Sequence, residues 1–214
     1  MTPEFAKAID PIFMRVLGLL ERIERGEALS AEDERAAIRG YLGQAEGHLG
    51  KKPDWQLAKY ALVSWIDEVL IEAPWESRKW WVDYTLEWEE FKTAECSEQF
   101  YIKADDAQKL PDKDALEVFY VCVVLGFRGL YRDAQQAVAL AEPLGLPAEL
   151  ETWARRTSLA IRLGEGRPRI SEAGQPLVGA APLEGPFLLL CSLFFGIILA
   201  AVAGVLAWMC FSPS

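Results

Sequence analysis

Histidine is almost absent: His48 is the only one in 214 residues. A single histidine makes a zinc centre and a histidine-based acid–base site poor expectations. Cysteine is sparse too, with Cys96, Cys122, Cys191 and Cys210 and no CxxC pair, the usage of a reduced, cytosolic chain. The opening residues MTPEFAKAID lack the basic region and apolar core of a secretory leader, so none is expected. Net positive charge is also missing. The formal charge is −10, and the deficit falls on residues up to Phe127. An acidic head repels phosphates, so no nucleic-acid partner is expected. Gly126-Phe127-Arg128-Gly129 follows an apolar run and lacks the Gly-Lys-Ser of a phosphate loop.

What the chain has is hydrophobic periodicity at helical spacing. Phe5, Ile9, Ile12, Phe13, Val16, Leu17, Leu20 and Ile23 recur three and four apart, with Asp10-Pro11 as the stronger start signal, Thr2-Pro3 as a weaker one, and Gly26 as a stop. Ser30 to Asp33 resembles a capping box ahead of Ile38, Tyr41, Leu42, Ala45 and Leu49. Asp54 is the expected cap of a third helix. There Ala58, Ala61, Leu62, Trp65, Ile66 and Val69 share one face, and Leu57, Tyr60, Ser64 and Ile71 cover much of the other. A helix that is apolar nearly all round is central to its domain.

Pro74 ends this third helix, and a further one is expected from Arg78 through Trp81, Tyr84, Leu86, Trp88 and Phe91. A short helix follows within Cys96 to Leu110. Asp114 is the expected cap of the next. Its uncharged run VFYVCVVL suits a buried strand by composition, but nothing else in the chain pairs as a strand, so a helix is expected. Asp133 to Ala141 gives a short helix. Pro147 to Leu163 gives another, with Leu150, Trp153, Ala154, Leu159 and Leu163 inward.

Two acids interrupt the central run. Asp67 lies on the stripe of Tyr60, Ser64 and Ile71, where an unpaired carboxylate costs several kcal/mol, roughly. Neighbours on a helix point about 100° apart, so Asp67 and Glu68 do not share a proton as a catalytic dyad does, and no enzyme is expected. Two readings stand for the pair. Asp67 holds the helices together through a buried Tyr or Arg, with Arg128 or Arg132 the candidate partner, or Asp67-Glu68 faces a cleft read by a partner protein. Trp65 and Trp75 are expected in the core, whereas Trp80 and Trp88 are as well suited to an interface.

Gly164 to Pro186 is rich in Gly and Pro. Phe187 to Phe211 then runs 25 residues without a charge, enough to cross a hydrocarbon core of roughly 30 Å. Arg162, Arg167 and Arg169 precede this run and no charge follows it, which predicts a cytoplasmic N-terminal part. The expected organisation is a helical-bundle domain over 1–165, a juxtamembrane linker over 166–186, a transmembrane anchor over 187–211 in contact with membrane lipid, and a short non-cytoplasmic tail at 212–214. Gly196, Ala200, Ala203, Gly204 and Ala207 place small residues at helical spacing, a candidate dimer face within the span.

Two blocks carry a family resemblance. Ala58 to Trp75 holds Ala58-Lys59-Tyr60-Ala61-Leu62, then Asp67-Glu68, then Pro74-Trp75. Leu116 to Arg132 holds Glu117, Tyr120, Val123, Gly126-Phe127, Gly129 and Tyr131-Arg132. In residues, order and separation the chain resembles the TssL/DotU (IcmH) family, inner-membrane components of type VI and type IVB secretion systems. Glu76 stands where the family commonly has Gly, and Val123 where it has Leu. The resemblance implies an all-α fold of two small three-helix bundles forming a hook, with a single C-terminal transmembrane helix at the inner membrane and no cofactor. It implies as partners a TssM/IcmF-like membrane protein, TssK-like and other baseplate proteins, and a second copy of the chain. The expected function is a structural component of a type VI system that anchors the baseplate. The alternatives are its type IVB counterpart or an unrelated tail-anchored adaptor using the acidic head. The candidate contact residues are Asp67, Glu68, Trp75, Trp80, Trp88, Arg128 and Arg132.

Overall fold

The computed structural model describes residues 1–164 and 193–195. The expected linker at 166–186, the tail at 212–214 and the dimer face from Gly196 to Ala207 lie outside the described residues, as does all but 193–195 of the expected span. Among the described residues every regular element is helical, and no helix is long and apolar enough to cross a membrane.

The first helix, α1, is Pro3–Glu24, and it packs on α2, Ala31–Leu49. The expected start at Asp10-Pro11 is corrected: α1 begins at Pro3 and carries Pro11 inside. Phe5, Ala8 and Ile9 are buried on the same face as Ile12 and Val16, and that burial extends the helix back through the proline. The Lys7 carbonyl that Pro11 leaves without a donor belongs to an exposed turn, where water reaches it. Gly26, at φ 69°, ends the helix as expected. Ser30 accepts from the Asp33 N–H at 3.2 Å and caps α2. Arg22 crosses from α1 to the buried Glu34 of α2 at 2.8 Å, and Arg15 pairs with the same carboxylate.

Helix α3, Pro53–Glu72, is the centre. From Tyr60 to Glu68 every residue is buried, as expected of a run apolar on nearly all sides. It begins at Pro53, so Asp54 sits in its first turn and is not its cap. It packs most extensively on α7, Asp114–Val124, which is helical as expected. Around it also lie α4, Arg78–Asp83; α5, Leu86–Phe91; and α6, Cys96–Lys109. The single helix expected across Arg78 to Phe91 is two, broken at Tyr84-Thr85, where the Thr85 hydroxyl accepts from the Trp88 N–H.

Past α7 the chain turns at Gly126, makes a 3-10 turn at Gly129–Tyr131, and forms α8, Ala134–Ala141, and α9, Leu150–Gly164. Phe127 is fully buried and stacks on Phe100 at 3.9 Å. The inward face of α9 is Trp153, Thr157 and Ile161, with Trp153 edge-on to Tyr101 at 5.1 Å. The expectation for Leu159 and Leu163 is corrected: they are 58% and 72% exposed. The polar Thr157 takes the core position because it lies one turn from both Trp153 and Ile161.

Candidate functional site

Four buried carboxylates hold the beginnings of other elements. An N-terminal turn has backbone N–H groups with no partner inside its own helix, and an acid can accept from them at any distance along the chain. Asp67 does this for α5. Its Oδ1 accepts from Leu86 N at 2.9 Å and from the Trp81 indole at 2.9 Å, and its Oδ2 accepts from Glu87 N at 2.8 Å. Asp67 and Thr85 together satisfy three successive N–H groups of α5.

Glu68 does the same for the 3-10 turn. It accepts from Arg128 N at 2.6 Å and from Gly129 N at 3.0 Å, and the Arg132 guanidinium stands 3.3 Å away. Glu87 accepts from Glu95 N at 3.0 Å, at the start of α6, and from the hydroxyls of Tyr60 and Thr93, both at 2.9 Å. Asp114, the expected cap of its own helix, instead accepts from the N–H and the hydroxyl of Thr2 at the start of α1.

The expected Asp67–Arg128 or Asp67–Arg132 pair is therefore corrected. Both arginines meet Glu68: Arg128 through its backbone N–H, and Arg132 through its side chain, which also reaches Glu72 at 3.0 Å. The Arg128 guanidinium turns to the carbonyls of Val123 and Phe127. The roughly 100° between adjacent helical positions sends Asp67 towards α4 and α5 and Glu68 towards the turn after α7.

Burial governs the titration of this group. It pushes the Asp67 carboxyl up to about 6, against the pull of its N–H donors and of the Arg35 guanidinium. Glu68 is raised for the same reason, with Arg128 N, Arg132 and Gly129 N opposing. Burial, then the Glu87 charge, raises the Tyr60 hydroxyl and the Cys96 thiol. Cys96 thus stays a protonated thiol and lacks the thiolate a nucleophile needs.

Asp67, Glu68, Glu87 and Cys96 line one side of a cleft of about 420 Å³, and Leu130, Arg132, Asp133, Gln136 and Leu140 line another. Both oxygens of Asp67 and of Glu68, and Oε1 of Glu87, are already engaged by N–H or O–H donors. Among the described residues no group of three His, Cys, Asp or Glu side chains is placed to hold a metal ion.

The tryptophans divide. Trp75 is half-buried and donates to the Leu70 carbonyl at 2.8 Å, closing the end of α3. Trp80 is half-buried, lies against Tyr84 at 4.9 Å, and has Arg35 at 5.8 Å from its ring. Trp88 is 59% exposed, as are Tyr84 at 56% and Val82 at 50%. Sequence reasoning missed Glu87 and Trp81. Glu87 has exposed-looking acids around it, Glu89 and Glu90, and no local pattern distinguishes it. Trp81 had a signal, since an indole that is fully buried needs an acceptor, and Asp67 was the buried acceptor at hand.

The geometry defines an all-helical domain built on one acid-bearing central helix. A family model described as "Type VI secretion system protein DotU" matches residues 8–212, and the chain belongs to that family. Among solved structures it is similar to the cytoplasmic domain of TssL from Acinetobacter baumannii, with a TM-score of 0.59 at 21% identity, over 75% of this chain and 98% of that one. The likeness shows a shared helical fold. Among curated proteins none matches the chain.

Proposed function

We propose that this chain is a non-enzymatic scaffold of a type VI secretion system, held at the inner membrane by residues 187–211, with its helical domain in the cytoplasm. The observation that carries the reading is the extent of the family match: 8–212 takes in both the helical domain and the uncharged C-terminal run. The charge pattern supports the orientation, because Arg162, Arg167 and Arg169 precede that run. The buried acids support a structural task, since they accept from the first N–H groups of α5, the 3-10 turn, α6 and α1.

In this reading the domain, arranged as two small three-helix bundles forming a hook, docks TssK-like baseplate proteins. The span assembles with a TssM/IcmF-like protein and with a second copy through Gly196, Ala200, Ala203, Gly204 and Ala207. The cleft beside Asp67 and the surface at the exposed Trp88 are the candidate docking faces. Co-purification of the full-length chain from membranes tests it. Recovery of baseplate and TssM-like proteins is expected; recovery of neither, from membranes that retain the chain, would count for an unrelated adaptor.

A further inference from the structure

The outward face of α9 combines exposed leucine with arginine. Taking about 100° per residue, Arg155, Arg156, Arg162 and Leu163 all lie within about 60° of Leu159 around the helix. All five are exposed, with Leu159 at 58% and Leu163 at 72%. The only acid in the helix, Glu151, is paired with Arg155 at 2.8 Å. Other exposed apolar side chains, such as Met14, Val82 and Val124, stand on elements without such an arginine cluster. In a chain of net charge −10 this face is a local reversal of sign.

We propose that the outward face of α9 lies on the surface of an anionic phospholipid bilayer, with Leu159 and Leu163 among the acyl chains and Arg155, Arg156 and Arg162 on the headgroup phosphates. Leucine beside arginine on one face is the composition of an interfacial helix, in which the arginine stems add apolar area and the guanidinium groups meet phosphate. The chain outside the described domain names the occupant. Residues 165–186 separate α9 from the uncharged run 187–211. Even fully extended, that interval spans at most roughly 75 Å. The inference rests on the reading of 187–211 as a membrane anchor, which keeps a bilayer within that reach.

The test uses the full-length chain in which Cys96, Cys191 and Cys210 are replaced by Ser, leaving the buried Cys122. A polarity-sensitive fluorophore is placed by Leu159→Cys or Leu163→Cys, with Met14→Cys, on the exposed side of α1, as reference. Each protein is reconstituted into vesicles of phosphatidylcholine alone or with phosphatidylglycerol, and quenching by aqueous iodide is read. Labels at 159 and 163 are expected to be several-fold less quenched than the label at 14 in phosphatidylglycerol vesicles, with a smaller difference in phosphatidylcholine. Replacing Arg155, Arg156 and Arg162 by Gln is expected to abolish that lipid preference.

Equal quenching at 14 and 163, in vesicles that keep the chain through an alkaline wash, overturns the inference and leaves the anchor standing. Loss of the chain in the wash, with 159 and 163 shielded beforehand, removes the anchor and leaves the inference standing. Shielding that follows the protein-to-lipid ratio and ignores headgroup charge marks a second copy on this face, and likewise overturns it.

Discussion

Asp67 and Glu68 are consecutive residues that fasten different parts of the domain. Asp67 takes the first N–H groups of α5 and the Trp81 indole; Glu68 takes the N–H groups of Arg128 and Gly129 after α7. One helical step thus joins the segment following α3 to a turn 60 residues beyond Glu68. The acid pair that sequence offered as a cleft or a pin is a two-sided clamp. Its chemistry is that of capping: an anion facing unpaired backbone donors.

Removing one side of the clamp leaves donors stranded. Asp67→Ala takes the acceptor from Trp81 Nε1, Leu86 N and Glu87 N in a region with almost no solvent. Part of that loss is offset, because the buried charge also goes. We expect a net destabilisation of roughly 2–4 kcal/mol in urea unfolding of the chain in detergent. Amide exchange should accelerate first at Leu86 and Glu87. A variant as stable as the parent, with those amides still protected, would show that the bonds contribute nothing net.

The raised Asp67 carboxyl sets a direction with pH. Its value moves from 3.8 to about 6 on folding. Below about pH 4 the group is protonated in both states. Between about 4 and 6 the unfolded chain releases the proton first, so the folded state holds more protons and stability falls as pH rises. The fall is on the order of 3 kcal/mol across that window and flat above it. Asp67→Asn removes the titration. The stability of the parent relative to Asp67→Asn should therefore fall steadily from about pH 4 to about pH 6 and stay level above it. A constant difference would place the Asp67 pKa near its unfolded value.

Much of this architecture was legible because apolar periodicity is a local property. The all-round burial of α3 and the helical reading of VFYVCVVL both followed from which residues recur and how far apart. The capping pairs were not legible. A backbone N–H has no letter in the sequence, so the search for a partner to Asp67 found only the visible cations, Arg128 and Arg132. The face of α9 was misjudged for a related reason. Leu159 and Leu163 weigh more as hydrophobes than Thr157, but the phase of the helix is set by Trp153 and Ile161, and Thr157 lies between them.

Gly129, one of the two backbone donors to Glu68, is left-handed, at φ 53°. A Cβ there would lie 2.8 Å from the Ser97 carbonyl and 2.9 Å from the Phe127 ring. Gly26 also has positive φ, at 69°, with nothing within 4 Å of a built Cβ. Gly26→Ala should cost about 1 kcal/mol from backbone strain alone. Gly129→Ala should cost more, roughly 2–4 kcal/mol, by adding a clash with backbone and a fully buried ring. Thermal unfolding of the two variants side by side checks the order, and equal shifts would show that the 3-10 turn relaxes away from Ser97.

Trp81 and Trp88 lie in one short segment and differ in burial, the first fully buried and the second exposed. Trp81 is fully buried, donates to Asp67, and sits against both Trp75 and Trp80. Its replacement by Ala should cost about 3–5 kcal/mol, the usual range for a buried aromatic, and should reduce partner recovery only as far as the folded fraction falls. Trp88 stands 59% exposed, and its replacement by Ala should change stability by under about 0.5 kcal/mol. If this surface meets a baseplate protein, Trp88→Ala weakens that contact with the fold intact, by the 2 kcal/mol or more, roughly, that marks an interface anchor. Titration of the purified full-length variant against a TssK-like protein, beside a melting curve, reads both effects. Unchanged affinity for Trp88→Ala would remove this surface as a docking face and leave the cleft beside Glu68 as the remaining candidate.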